Sequence, residues 1–321
     1  MKKFGFLVLA LLPLVGCEEQ AVNDTPNLTA PVSTTTPLTL DISEKLKQTI
    51  CEQMGLRIEE LSDDDFERMT EFTIHEDDPT LHVALQAMTN LKSLVISIPI
   101  KSLSSIHSLT TLQHLTITDT PLYHLDFSSL THLKGLTLIN NNLEKINHLS
   151  ALKNVESLAI IDNDVQDLTP LQQLSSLKHL DLTNNAVTSI EPIQHLENLS
   201  IFIAANNSIQ NIHTTSFENL GKLTNLSLSG NPIDSIDFVQ NLPHLEVLQI
   251  AHTNVSDLSP VAHLTRLMNL DIRETNVTSI QPLVALKQLK FLYLSKEQVT
   301  DWTLLENRHG LIISESIMQA Q

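Results

Sequence analysis

The sequence predicts an α/β solenoid. We expect a horseshoe of stacked coils with a parallel sheet on its concave side, 3-10 or irregular segments on its convex side and a helical cap at its N-terminal end. Three observations predict it. One spacing of aliphatic residues, closed by Asn or Thr, recurs from Leu91 to Leu289 every 21 to 24 residues, and a unit of that length cannot bury its apolar side without a neighbour. The first half of each unit alternates apolar and variable residues, the period of a short strand. Aromatics are 4% of the chain, which suits a stacked aliphatic core.

Taken in order, residues 1–16 read as an export signal. Lys2 and Lys3 precede an apolar run, Phe4 to Leu14, that is too short to span a membrane as a stable helix. Leu14-Val15-Gly16-Cys17 resembles a bacterial lipobox. The resemblance implies cleavage before Cys17 and lipid on its thiol, which would anchor the chain to a membrane without a spanning helix. By the same resemblance, Glu18 favours delivery to the outer membrane. Residues 17–40 then form a lipidated cysteine and a flexible tether rich in Thr, Pro and Asn.

Residues 41–68 read as the cap. Asp41 and Glu44 have capping-box spacing, Ile42, Leu46, Ile50 and Met54 share a helix face, and Gly55 suits a helix end. Ser62 with Asp63, Asp64 and Asp65 looks like a second helix start. Cys51 has no disulfide partner in the mature chain and reads as a small buried hydrophobe. The repeats should fill 69–313, opening with a degenerate coil at Met69, Phe72 and Ile74, and 314–321 should be a tail. Trp302 falls on a core position.

Regular units start at Leu91, Leu112, Leu133, Val155, Leu177, Leu199, Leu223, Leu245, Leu267 and Leu289. Their strands should pair in parallel, coil upon coil. The chain must then turn inside the stack, where unpaired amides cost about 1–3 kcal/mol each. Asn141, Asn163, Asn185, Asn207 and Asn231 stand there, and an Asn side chain carries both donor and acceptor. Thr120, Thr253 and Thr275 take the place in other units, and Glu297 in the last.

The second half of many units reads Asp or Ser, aliphatic, any residue, Pro, aliphatic. Asp167-Leu168-Thr169-Pro170-Leu171 and Asp257-Leu258-Ser259-Pro260-Val261 show it, as do Ser189 to Ile193 and Ser279 to Leu283. Units of 22 residues with this proline step resemble the internalin-type class of bacterial leucine-rich repeats, over about residues 69–305, and the helical cap ahead also matches. The immunoglobulin-like domain that internalins carry after their repeats is not expected, because about twenty residues follow Asp301. The unit from Leu199 is two residues longer, with Phe217 inside the insertion, and should widen the convex side.

Variable strand residues should line the concave face in columns. Ile139, Ala159, Ile161, Ile201, Ile203 and Ala205 would form a contiguous apolar patch, the usual sign of an interaction site. Val247 extends it, Phe291 and Tyr293 make an aromatic cluster near the end, and Asp181, Asp271 and Arg273 add charge. Acidic residues that also include Asp119, Asp162 and Glu274 suit a partner with a basic ring.

The formal charge is −18, or −20 without Lys2 and Lys3. No basic field recruits phosphates, so nucleic acid is not an expected ligand. Fourteen histidines, among them His124, His148, His195 and His263, show no paired metal-ligand spacing and read as solvent-facing. His114 and His179 share a column three coils apart, too far for one ion. No metal or other cofactor is expected, and no catalytic constellation stands out. The expectation is a non-catalytic, lipid-anchored protein of a bacterial envelope that binds a protein or peptide. The alternative is a spacer whose patch binds a second copy.

Overall fold

The protein is described by a computed structural model that covers residues 38–99, 104–122, 126–301, 303–306 and 308–315. The export signal, Cys17, the tether through residue 37, His124, Trp302 and the end of the tail lie outside the described residues.

Helix α1 spans Glu44–Met54. Its N-cap is Ser43, not Asp41: the Ser43 hydroxyl accepts from the Leu46 N–H at 3.0 Å. The reason lies in the first coil. Ser43 also donates its hydroxyl to Asp78 at 2.5 Å and its N–H to Thr80 Oγ1 at 2.9 Å, which fixes where the helix begins. Gly55 ends α1 at φ +69°, a left-handed value that costs glycine nothing. Helix α2, Asp63–Arg68, starts where Asp65 accepts from both the N–H and the hydroxyl of Ser62. Ile42, Leu46, Ile50, Cys51 and Phe66 are buried. Burial, more than the nearby Asp65 charge, pushes the Cys51 thiol pKa up, so it packs as an apolar group.

Among the described residues twelve strands follow, all parallel and paired in chain order. They are β1 (Glu71–Ile74), β2 (Ser93–Ile96), β3 (His114–Thr118), β4 (Gly135–Ile139), β5 (Ser157–Ile161) and β6 (His179–Asp181). Then come β7 (Ile201–Ile203), β8 (Asn225–Ser227), β9 (Val247–Gln249), β10 (Asn269–Asp271), β11 (Phe291–Tyr293) and β12 (Ile312–Ser314). Equivalent positions stack: Leu136, Leu158, Leu180, Phe202 and Leu226 are all buried and in register. Ser314, which the sequence suggests opens a tail, belongs to β12 and pairs with Tyr293.

Most coils cross the convex side in short 3-10 turns, such as Asn147–Ala151 and Glu191–His195. At the proline steps the preceding Asp or Ser caps the turn. Asp167 accepts from the Thr169 N–H and Asp257 from the Ser259 N–H, each at 2.8 Å, with proline in the first turn where its missing N–H is not needed. The first coil differs. It crosses in an α-helix, α3 (Leu81–Ala87), because Leu81, Ala84, Leu85 and Met88 present one buried helical stripe. A short helix, α4 (Thr303–Glu306), precedes β12.

The buried asparagines form the expected ladder. Asn163 Oδ1 accepts from the N–H groups of Asn141 and Leu143, both at 3.0 Å. Its Nδ2 donates to Leu138 O and Ile161 O. Asn185, Asn207 and Asn231 reach back one coil in the same way. The hydroxyls of Thr120, Thr253 and Thr275 each donate to a backbone carbonyl. In the last coil Gln298, not the exposed Glu297, does the work: its amide reaches Ile272 O at 3.1 Å and Thr275 Oγ1 at 2.7 Å. Its longer side chain starts one residue later and still spans the gap. In the longer unit, Phe217 stacks on Phe238 at 4.7 Å and both rings are buried.

Candidate functional site

The strands carry three columns of side chains on the concave face. The first runs His114, Gly135, Ser157, His179, Ile201, Asn225, Val247, Asn269, Phe291. The middle one runs Thr137, Ala159, Asp181, Ile203, Ser227, Gln249, Asp271, Tyr293. In the third, Ile139 pairs with Ile161, and backbone bonds carry the line through Thr183 to Ala205. The sequence spacing therefore brings the apolar residues of β4 to β7 together as counted.

Their exposure differs from the sequence expectation. Ile139, Ala159, Ile161, Asp181, Ile201, Ile203, Ala205, Val247, Arg273 and Phe291 are each half-buried rather than open. Strands about 4.8 Å apart place neighbouring side chains of a column in contact, so each covers part of the next. Asp271 and Tyr293 are buried outright, at 2% and 8% exposure, and do not present a free acid or ring. The cause is Arg273, which donates Nε to Asp271 Oδ1 at 2.8 Å and Nη2 to Oδ2 at 2.5 Å. Its guanidinium lies 5.6 Å from the Tyr293 ring centroid. The hydrogen-bonded carboxylate of Asp271 and burial act oppositely on Arg273, and the bond wins, raising its pKa.

Asp181 has no such partner. Its Oδ1 accepts from the Thr183 N–H at 2.9 Å and hydroxyl at 2.6 Å. Burial pushes the carboxyl pKa above the ordinary aspartate range, and the Thr183 bonds pull it only partway back. The sign follows. Below about pH 3.9, the unfolded value, the group is protonated in both states and costs nothing. As pH rises through the raised folded value, the folded chain must ionise a desolvated carboxyl and loses stability. Asp181→Asn is therefore expected to melt at or above the temperature of the parent at pH 7. The gap should close in acid, as read by circular dichroism melts across pH. A variant that melts several degrees lower at pH 7 would refute this account.

One shared feature of the strand ends, a left-handed backbone, went unrecognised in the sequence. Asp119, Asn140, Asp162, Asn184, Asn206, His252 and Glu274 end successive strands at φ +52° to +57°, with Gly230 at +71°. Some clasp across coils: Asn140 donates to Asp119 at 2.6 Å, Asn184 to Asp162 at 2.7 Å and Asn206 to Asn184 at 2.8 Å. A Cβ on Gly230 would meet Asn206 Oδ1 at 2.2 Å, so any other residue there would have to displace the Asn206 side chain. The signal was visible as Asn, Asp or Gly, the types that tolerate left-handed backbone, just before six of the eight ladder residues; His252 and Glu274 precede Thr253 and Thr275.

Among the described residues no three His, Cys, Asp or Glu side chains converge as a metal site. His148 is not solvent-facing: it is half-buried and stacks on Phe127 at 5.5 Å, and burial lowers its pKa. His195 and His263 are exposed. A cleft of about 480 Å³ lies beside the convex turns, lined by Asp167, Gln172, Glu191 and His195.

The family model described as "Leucine rich repeat" matches residues 177–233, and that described as "Leucine Rich repeats (2 copies)" matches residues 221–263. The chain folds as a leucine-rich repeat solenoid. An internalin from Listeria monocytogenes shares this fold at a TM-score of 0.69 and 20% identity, over 90% of this chain and 100% of that one. A leucine-rich repeat protein from Leptospira interrogans superposes at 0.63 and 21% identity, over 72% of this chain and 68% of its own. A plant peptide hormone receptor, solved in complex with RGF2, superposes at 0.57 and 18% identity, over 73% of this chain and 41% of its own. At these identities the likeness speaks for the fold. None of the curated proteins matches the chain in sequence. Leucine-rich repeat proteins commonly bind proteins or peptides.

Proposed function

We propose that this leucine-rich repeat chain is a non-catalytic binding protein of a bacterial envelope. Lipid on Cys17 holds it to a membrane, on the lipobox reading the outer one, and its internalin-type repeats grip a protein or peptide on the concave face. One observation carries the binding reading. Ile139, Ala159, Ile161, Ile201, Ile203 and Ala205 stand in adjacent registers, each partly accessible, on the solvent side of the sheet. Apolar groups gathered on one face gain most from a partner that removes the remaining area from water. The plant receptor solved in complex with RGF2 lends the fold-level precedent.

The test is crosslinking capture from whole envelopes with the full-length chain as bait. Beside it runs the triple variant Ile139→Arg, Ile161→Arg, Ile203→Arg, checked for folding by circular dichroism. Capture of a defined partner should fall at least about tenfold in the variant, since three buried charges each cost more than a kcal/mol. Equal capture would remove function from this face, and capture of a second copy of the chain would favour the spacer. Cys17→Ser should leave the membrane fraction; a variant that stays bound would overturn the anchor.

A further inference from the structure

Asp181 and Asp271 occupy the same column, linked through Ile203, Ser227 and Gln249. Their local geometry is alike: the N–H two residues on donates to Oδ1, from Thr183 at 2.9 Å and from Arg273 at 3.2 Å. They part at the side chain of that residue. At Asp271 a guanidinium closes on both carboxylate oxygens and rests against Tyr293. At Asp181 the residue is Thr183, which serves Oδ1 alone. Among the described residues, Oδ2 of Asp181 takes no hydrogen bond and no ion pair. Ala159 and Ile203 flank it in register, and Ile161 and Ile201 stand in the columns to either side.

A carboxylate half withdrawn from water among aliphatics, with one oxygen uncommitted, is costly unless a cation meets it. The chain itself supplies that cation at Asp271 and withholds it at Asp181. We propose that Asp181 receives an arginine side chain of the bound protein or peptide, whose stem lies among Ile161, Ile201 and Ile203. Arginine suits the place better than lysine. Its guanidinium is weakly hydrated, so it enters a half-dry site more cheaply, and its fork can take Oδ2 and the open side of Oδ1 together. The net charge of −18 draws such a segment toward the chain. This inference rests on the concave face being the binding face and adds the chemistry of what binds.

The probe is a displayed library of random twelve-residue peptides, selected on the full-length chain. Enriched peptides should carry an arginine between aliphatic residues. Asp181→Asn, which keeps the Thr183 bonds and the fold, should weaken them at least tenfold. Citrulline in place of the peptide arginine should cause the same loss on the parent and little further loss on Asp181→Asn, because the two changes remove one interaction. Thr183→Arg should also block them, by giving Asp181 the neighbour that Asp271 has. Peptides that need Ile161 and Ile203, tested as Arg variants, but carry no arginine or ignore Asp181→Asn would overturn the arginine and leave the face standing. Peptides indifferent to those isoleucines, or no enrichment, would count against the face as well.

Discussion

Asn163→Ala is expected to cost the domain about 4 kcal/mol, read as a fall in the urea midpoint. The substitution strips the acceptor from two buried donors, the N–H groups of Asn141 and Leu143, at about 1–3 kcal/mol each. It also removes the amide that serves Leu138 O and Ile161 O. Asn141→Ala is the informative control. Asn141 is the more buried of the two, at 0% against 7% exposure. Yet its side chain donates only to Thr120 O, and its Oδ1 finds no partner among the described residues. If bonds across coils set the cost, Asn141→Ala should lose about 1–2 kcal/mol; if burial did, the order would invert. The lesion at Asn163 should also broaden or split the transition, because a stack held by nearest-neighbour contacts can lose coils on one side of a weak joint.

Phe217→Ala should cost a similar amount, about 3–5 kcal/mol. The ring fills the two-residue insertion and stacks on Phe238 with an interplanar angle of 20°. Deleting it opens a cavity against the Phe238 ring, which is itself buried and held in the next coil. Phe217→Leu should recover more than half of the loss, since most of the volume returns and only the ring contact is forfeited. Equilibrium unfolding of the two variants measures both. A loss below about 1 kcal/mol for alanine would mean the longer unit collapses onto the space, and that the insertion is loosely packed.

The repeat frame was legible because one spacing has to satisfy stacking in every coil, so error in one unit is corrected by the next. The columns of β4 to β7 fell into register for that reason. What escaped were features set by a single contact. Asp41 and Ser43 both suit a helix start, and only the approach of Asp78 and Thr80 selects Ser43. The stripe Leu81, Ala84, Leu85, Met88 was readable as a helix, but lies inside a coil where a shorter crossing was expected. Burial of Asp271 and Tyr293 depends on where Arg273 points, and a list of concave residues does not contain that direction. Of the candidate site, the spacing gave the address of each side chain but not its neighbours.

The column of left-handed residues also bears on how such a chain changes over generations. Non-glycine residues there give up about 1–2 kcal/mol of backbone preference, and among the described residues the exposed Glu274 shows no side-chain hydrogen bond across coils like that of Asn140 to set against it. These positions are a stock of small gains available one substitution at a time, as glycine already occupies position 230. A lineage that installs a destabilising group on its sheet, as at Asp181, can restore the fold at the strand ends while the face that meets the partner stays as selection left it.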